Sequence, residues 1–170
     1  MRLYLIRHAD AVPRGTPGFA QDAQRPLTDE GRRQAQRAGE ALKRLKIAPD
    51  ALLTSPYVRA VQTAEEVAKG LGLRTPAKEL PELRPEELPH HASLALKSFA
   101  QMAQVALVGH EPHLSSWIAE LTAGKAGMRC DMKKGGIACV EIERVPPPAG
   151  SGELRWLLTP KQLALIAKSQ

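Results

Sequence analysis

A chain of 170 residues with 43% apolar content and a net charge of +6 holds one domain with a real core, is short for two, and favours an anionic partner. Aromatic residues are only 4% of the chain, too few for the stacking platforms of a single-stranded nucleic-acid site, so no nucleic-acid partner is expected. No apolar run approaches a membrane span, and the first one stops at Arg7 without signal-segment features, so a soluble, cytoplasmic protein with no membrane partner is expected.

The first element, Leu3-Tyr4-Leu5-Ile6, runs straight into Arg7 and His8. It reads as a buried strand whose end exposes a guanidinium beside an imidazole, although such a pair by itself can simply close a strand at the surface. Ala11 to Gln24 carries Pro13, Gly15, Pro17 and Gly18 and reads as a loop long enough to fold over a site. After Arg25-Pro26-Leu27, Thr28 caps a helix with Asp29 and Glu30 in its first turn, where the helix dipole favours them. Gly31, Ala35, Ala38, Leu42 and Leu45 recur at helical spacing and leave Arg32, Arg33, Arg37, Lys43 and Arg44 on the other faces. Those cations form either a solvated basic face or a docking surface for an acidic partner.

Ala51–Thr54 is a short second strand, and Ser55-Pro56 predicts a helix with Ser55 as the capping hydroxyl. Tyr57, Val61, Ala64, Ala68 and Leu71 are its expected inward stripe, stopped by Gly70 and Gly72. Arg59 falls in the first turns, where a cation opposes the dipole; an anion held between helix end and guanidinium would make sense of it. A short strand is expected around Arg74-Thr75-Pro76, then the segment Glu79 to Leu83, then a proline-rich loop from Arg84 to His91. His90 and His91 lie near Glu86 and Glu87 without further ligand spacing, and no metal site is assigned. Ala92, Leu96, Phe99 and Ala103 mark a third helix.

Val105–Gly109 is a continuous apolar run, the pattern of a central parallel strand covered on both faces. It ends in His110-Glu111-Pro112-His113, and a helix over Leu114 to Thr122 follows. Cys130 and Cys139 belong to no paired Cys-x-x-Cys motif, so reduced structural thiols are expected rather than a zinc site or a disulfide framework. Lys133-Lys134-Gly135-Gly136 breaks the pattern before a strand over Ile137–Ile142. Beyond the loop from Pro146 to Gly152, Glu153–Leu158 returns as an antiparallel edge strand, and Thr159-Pro160 opens a terminal helix. Strands alternating with helices predict a single α/β domain over 1–170. It should be a three-layer α/β/α architecture with a mostly parallel sheet, helices on both faces and ligands at the carboxyl ends of the strands.

Three of those ends carry Arg7-His8, Ser55 leading to Arg59, and His110. Two guanidiniums, two imidazoles and two helix amino termini are a donor set suited to a phosphoryl group. The sequence has neither a metal-binding carboxylate cluster nor a glycine-rich phosphate loop ending in Lys and Ser or Thr, so a route with no metal and no cofactor is expected. In it a neutral imidazole attacks phosphorus, and water later hydrolyses the covalent phosphohistidine.

Four motifs in this order, Leu5-Ile6-Arg7-His8, Arg25-Pro26-Leu27-Thr28-Asp29-Glu30-Gly31, Thr54-Ser55-Pro56-Tyr57-Val58-Arg59-Ala60 and Leu107-Val108-Gly109-His110-Glu111-Pro112, resemble the histidine phosphatase superfamily. Within it the chain is similar to small phosphohistidine phosphatases of the SixA type. The resemblance implies a phosphoglycerate mutase-like fold with His8 as the phosphorylated nucleophile. It makes Arg7 and Arg59 phosphate clamps, His110 the second imidazole, and Arg25 an additional phosphate or substrate contact. It leaves the general acid open among Glu82, where phosphoglycerate-mutase-like members carry theirs, Glu111, placed as in acid phosphatases and phytases, and none; Glu82 is the preferred catalytic acid, and Glu111 is counted with Arg25 as a substrate contact. It also implies a phosphorylated histidine-containing phosphotransfer protein as partner, with a small phosphorylated metabolite as the alternative and a non-catalytic phosphoprotein-binding module as a more distant one. The chain departs from the family in carrying Ala9 where a glycine usually follows the Arg-His pair, a residue with less backbone freedom.

Overall fold

A computed structural model describes residues 1–124 and 127–169. Its strands are β1 (Arg2–Arg7), β2 (Ala51–Thr54), β3 (Lys78–Glu79), β4 (Gln104–Gly109), β5 (Ile137–Glu141) and β6 (Glu153–Leu158). Its helices are α1 (Asp29–Arg44), α2 (Val58–Leu71), α3 (Pro89–Ala95), α4 (His113–Ala123) and α5 (Pro160–Lys168). The strands form one sheet in the order β3-β2-β4-β1-β5-β6. β3, β2, β4 and β1 run parallel, β5 pairs antiparallel with β1, and β6 pairs antiparallel with β5 at the edge.

Alternation along β1 explains the three layers. Tyr4 and Ile6 enter a core with Ala35, Ala38 and Leu42 of α1, Ala64 and Val67 of α2, and Leu163 of α5. Leu3 and Leu5 enter the opposite core with Leu96, and with Leu114, Trp117 and Ile118 of α4. Each large apolar side chain fully withdrawn from water contributes about 1.5–3 kcal/mol, so the paired cores, more than helix propensity, hold the sheet between its helical layers. α1 and α2 lie unusually close: a Cβ on Gly70 would come within 2.3 Å of the Gln36 carbonyl oxygen.

Several local expectations shift. The inward stripe of α2 is Ala60, Ala64, Val67 and Leu71, whereas Tyr57 and Val61 are only partly buried. The stripe is rotated because Arg59, Thr63 and Glu66 are themselves buried. Leu45 lies at the carboxyl cap of α1 and is 42% exposed. The short strand is Lys78–Glu79 rather than a segment around Arg74-Thr75-Pro76, and Pro81–Leu83 is a 3-10 turn. The third helix breaks after Ala95 into a 3-10 turn, Leu96–Phe99, and leaves Ala103 exposed. On the α1 face, Arg32 pairs with Glu66, while Arg33 and Arg37 both pair with Glu30, so much of the basic surface is internally balanced. Cys130 and Cys139 are free.

Candidate active site

Sheet register brings the polar strand ends together. Arg7 lies opposite Gly109 and Thr54 opposite Val108, so His8, Ser55 and His110 leave three neighbouring strands at one level. They open on a cleft of about 480 Å³ whose walls include Arg7, His8, Arg25, Arg59, His110, Glu111 and Lys134.

β1 ends at Arg7, and the chain turns as its pleat would carry Arg7 and His8 to opposite faces. On the α4 face, Arg7 Nη1 donates to the Met132 carbonyl at 2.5 Å. On the α2 face, the His8 ring meets Arg59, whose Nε donates to His8 Nε2 at 3.2 Å. A guanidinium has no lone pair to offer, so His8 Nε2 is the unprotonated nitrogen and the ring proton resides on Nδ1. Nδ1 donates it to the Ala9 carbonyl at 2.7 Å. Ala9 is fully buried, its N–H donates to Thr63 Oγ1 at 3.1 Å, and its φ is not in the left-handed region. A methyl group is therefore compatible with this turn, and the glycine usual in the family is not required here.

The entry to α1 closes the adjacent wall. Thr28 Oγ1 accepts from Gly31 N at 3.0 Å, while Thr28 N donates to the Asp10 carbonyl at 3.1 Å. A Cβ on Gly31 would lie 1.9 Å from that same Asp10 oxygen. Leu-Thr-x-x-Gly is thus a docking device that fixes the helix end against the residues just after His8.

Ser55 has a different task from the predicted cap. α2 starts at Val58 with Tyr57 as its cap residue, and the fully buried Ser55 hydroxyl lies 2.9 Å from His110 Nε2. The Tyr57 N–H approaches the same hydroxyl at 3.4 Å, and the Tyr57 ring stands edge-on to His110 with centroids 5.1 Å apart. His8 and His110 are also 5.1 Å apart by ring centroids. Burial pushes His8 down to about 3, with Arg59, Arg7 and Lys134 acting the same way against the opposing Ala9 hydrogen bond. Burial, then His8 and Arg59, push His110 down to about 2. Neutral imidazoles are therefore the resting forms at ordinary pH.

Two carboxylates deserve separate placement. Glu111 lines the cleft, is held by Ser115 through its backbone N–H at 3.2 Å and its hydroxyl at 2.5 Å, and is pushed upward in pKa by burial. The structure does not bring Glu82 to the cleft. Leu80 and Leu83 anchor its 3-10 turn in the α4-side core, leaving Glu82 in a separate depression with Glu87 and His91. His91 Nδ1 lies 2.9 Å from Glu87 Oε2, and among the described residues no cluster of His, Cys, Asp or Glu is arranged to hold a metal ion. No described helix is long and apolar enough to cross a membrane.

Sequence reasoning missed Asp22, at the start of the 3-10 turn Asp22–Gln24. Its Oδ1 accepts from Arg25 Nε and Nη2 at 3.0 and 2.8 Å and from Arg14 Nε at 2.9 Å. Its Oδ2 accepts from Arg59 Nη2 at 2.9 Å, and its carbonyl oxygen accepts from Arg59 Nη1 at 2.7 Å. Burial works against ionisation, but the Arg25 hydrogen bond and the Arg59 charge outweigh it and hold the carboxyl at about 2. The available signal was charge balance, since a loop opposite several arginines contained this acid three residues before Arg25.

A model of the "Histidine phosphatase superfamily (branch 1)" matches residues 3–103. The chain belongs to the histidine phosphatase superfamily. Among relatives within and around that superfamily, phosphohistidine phosphatase SixA of Escherichia coli (strain K12) is 30% identical over 167 residues, covering 97% of this chain and 98% of SixA. An uncharacterized protein of Picosynechococcus sp. is 34% identical over 138 residues, 81% of this chain and 82% of its own length. The solved structure of the protein histidine phosphatase SixA complexed with tungstate superposes with a TM-score of 0.82 at 30% identity, covering 96% of this chain and 99% of that one. The six-stranded sheet and its helical layers thus have the phosphoglycerate mutase-like α/β fold of this superfamily.

Proposed function

We propose that this protein hydrolyses the phosphoryl group of a protein phosphohistidine through a covalent intermediate on His8. The observation that carries the reading is the pairing of an unprotonated His8 Nε2 with cleft groups still lacking partners. Among the described residues, the buried atoms Arg7 Nε and His110 Nδ1 have no hydrogen-bond partner. Unmet buried donors cost about 1–3 kcal/mol each, and a phosphoryl oxyanion is the ligand that would repay them. The tungstate bound by SixA is likewise a tetrahedral oxyanion, which supports the same use of this cleft.

In the first step Arg59 Nε–H turns from the His8 Nε2 lone pair to a phosphoryl oxygen, and that lone pair forms a bond to phosphorus as the bond from phosphorus to the leaving imidazole breaks. His8 Nδ1–H stays on the Ala9 carbonyl, so positive charge developing on the ring is met by an acceptor already in place. Arg7 and Arg59 neutralise charge on the equatorial oxygens, and neutral His110 donates a hydrogen bond to one of them. The Ser55 hydroxyl, already approached by the Tyr57 N–H, donates to His110 Nε2 and leaves the His110 proton on Nδ1 for the phosphoryl oxygen. Glu111, whose carboxyl burial keeps more readily protonated, gives its proton to the departing imidazole. It then takes one from the water that attacks phosphorus, freeing His8 and inorganic phosphate.

A protein substrate is favoured over a small metabolite because only Gly72 to Leu88, holding β3 and one 3-10 turn, separates α2 from α3, too little chain for an added α-helical insertion to enclose a small ligand. The test is phosphate release from a phosphorylated histidine-containing phosphotransfer protein set beside a panel of small phosphate esters. The phosphoprotein should be turned over at least about tenfold faster per unit concentration, and His8→Ala should lose at least about 10³-fold with either substrate. Full activity of His8→Ala would overturn the covalent mechanism; preference for an ester would replace the substrate.

A further inference from the structure

Among the described residues, the carboxylate with the most hydrogen bonds is that of Asp22. Its carboxylate takes four hydrogen bonds from the guanidiniums of Arg14, Arg25 and Arg59, three at Oδ1 and one at Oδ2. Arg59 is almost wholly buried and donates once from each of its three nitrogens, to His8 and to Asp22, with a second N–H on each Nη left over. Arg25 has its remaining nitrogen on the Val12 carbonyl. Elsewhere in the cleft, Arg7 Nε and His110 Nδ1 lack partners among the described residues. The cleft is therefore half satisfied by an internal anion and half waiting for an external one.

We infer that Asp22 is a tethered competitor of the phosphoryl group, and that a phosphate oxyanion bound beside His8 displaces the Asp22 carboxylate from Arg59. The inference rests on the phosphoryl-transfer reading of this cleft and adds a residue that sets how tightly the cleft holds phosphate. The chain segment around Asp22 suits that task. Its turn has no side-chain cap and no buried residue, and it follows a loop that contains Thr16, Pro17 and Gly18. Asp22 itself is anchored only through its contacts to arginines and turn hydrogen bonds such as Arg25 N to its carbonyl at 3.4 Å.

The chemistry explains why an enzyme of this kind would carry an acid here. Arg7, Arg25, Arg59 and the adjacent Arg14 and Lys134 all line one cleft, and such a set without a counter-ion would retain inorganic phosphate, the product of every turnover. A tethered carboxylate returns to the guanidiniums as product leaves. It weakens ground-state phosphate binding without touching the bond being made at His8 Nε2.

A merely structural role predicts the opposite sign. If Asp22 served to hold Arg59 in place, its removal would loosen the clamp and weaken phosphate binding. The experiment is isothermal titration of the full chain with inorganic phosphate, and separately with tungstate, comparing wild type and Asp22→Asn, an isosteric change that removes the charge. Asp22→Asn should bind each oxyanion about tenfold more tightly, and phosphate should become a correspondingly stronger product inhibitor of ester hydrolysis. In wild-type protein, carbon-detected NMR should show the Asp22 carboxyl resonance moving as phosphate is added, a readout that needs no variant. Equal or weaker binding by Asp22→Asn, or an Asp22 carboxyl signal unmoved by bound phosphate, overturns the inference alone. Absence of oxyanion binding in both proteins overturns it together with the phosphoryl-transfer reading.

Discussion

The α2 side and the α4 side of the cleft begin from adjacent residues of one strand, yet they are finished differently. On the α2 side His8 has a partner at each ring nitrogen and Arg59 is bound to His8 and Asp22. On the α4 side Arg7 has one protein hydrogen bond and an unpartnered Nε, while His110, beside His8 at the end of β4, has Ser55 at Nε2 and no partner at Nδ1 among the described residues. The pleat of β1 separates Arg7 from His8 by sending successive side chains to opposite faces. It teaches that the nucleophile is held by a closed set of protein contacts, while Arg7 and His110 keep donors open for the phosphoryl oxygens.

The largest consequence falls on Arg59. Lysine cannot reproduce a fork that donates to His8 and to Asp22 at once. Arg59→Lys should lower kcat/KM for phosphate-ester hydrolysis by about 10²–10³, and Arg7→Lys by about tenfold less than that, since Arg7 gives up the Met132 contact and its open Nε donor but holds neither His8 nor Asp22. Steady-state kinetics on the two variants measure the asymmetry directly. Equal losses would erase the distinction between the two walls.

How far this division was legible in sequence follows from what each residue is attached to. Arg7, His8, Arg59 and His110 fall at strand ends or a helix start, where hydrophobic patterning announces the element and the polar residue stands out against it. The fold class was legible for the same reason, as every central strand is an apolar run bounded by turn residues. The register of α2 was not, because buried Arg59, Thr63 and Glu66 look like solvent-facing positions to any polarity pattern. Ser55 before Pro56 matched a helix cap, and its contact to His110 depends on the pairing of β2 with β4, which local sequence does not encode. Asp22 lies in a loop without periodicity, so only the count of opposing charges could have drawn attention to it.

A smaller effect concerns acid stability, and both walls contribute. His8 and His110 titrate near 6.5 when unfolded but at about 3 and about 2 in the fold. Between those limits the unfolded chain binds more protons, so the stability they contribute is fully present above about pH 6.5 and is lost progressively as pH falls. Asp22, depressed from 3.8 to about 2, adds a further loss only below about pH 4. Thermal melts should therefore show the midpoint falling already between pH 6.5 and 5, before the depressed carboxylate titrates. His110→Gln should make that first portion of the profile shallower, and an unchanged slope would mean that His110 is not held neutral by the fold.

The smallest effect isolates His110, at Ser55. Removing its hydroxyl leaves His110 Nε2 without the 2.9 Å partner, and because Nδ1 is also unpartnered the buried ring would lose its only side-chain hydrogen bond. Ser55→Ala should cost about 1–2 kcal/mol in denaturant unfolding. It should also lower kcat about tenfold with little change in KM, since the ring remains packed edge-on to Tyr57 but no longer has its proton fixed on Nδ1. Thr63→Val gives the matching test on the α2 wall: it removes the hydroxyl 3.1 Å from Ala9 N and leaves the His8 contacts to Ala9 O and Arg59 in place. Its kcat should therefore change less than that of Ser55→Ala. A larger kcat loss in Thr63→Val would show that the nucleophile side, despite its closed set of contacts, is the wall held with less to spare.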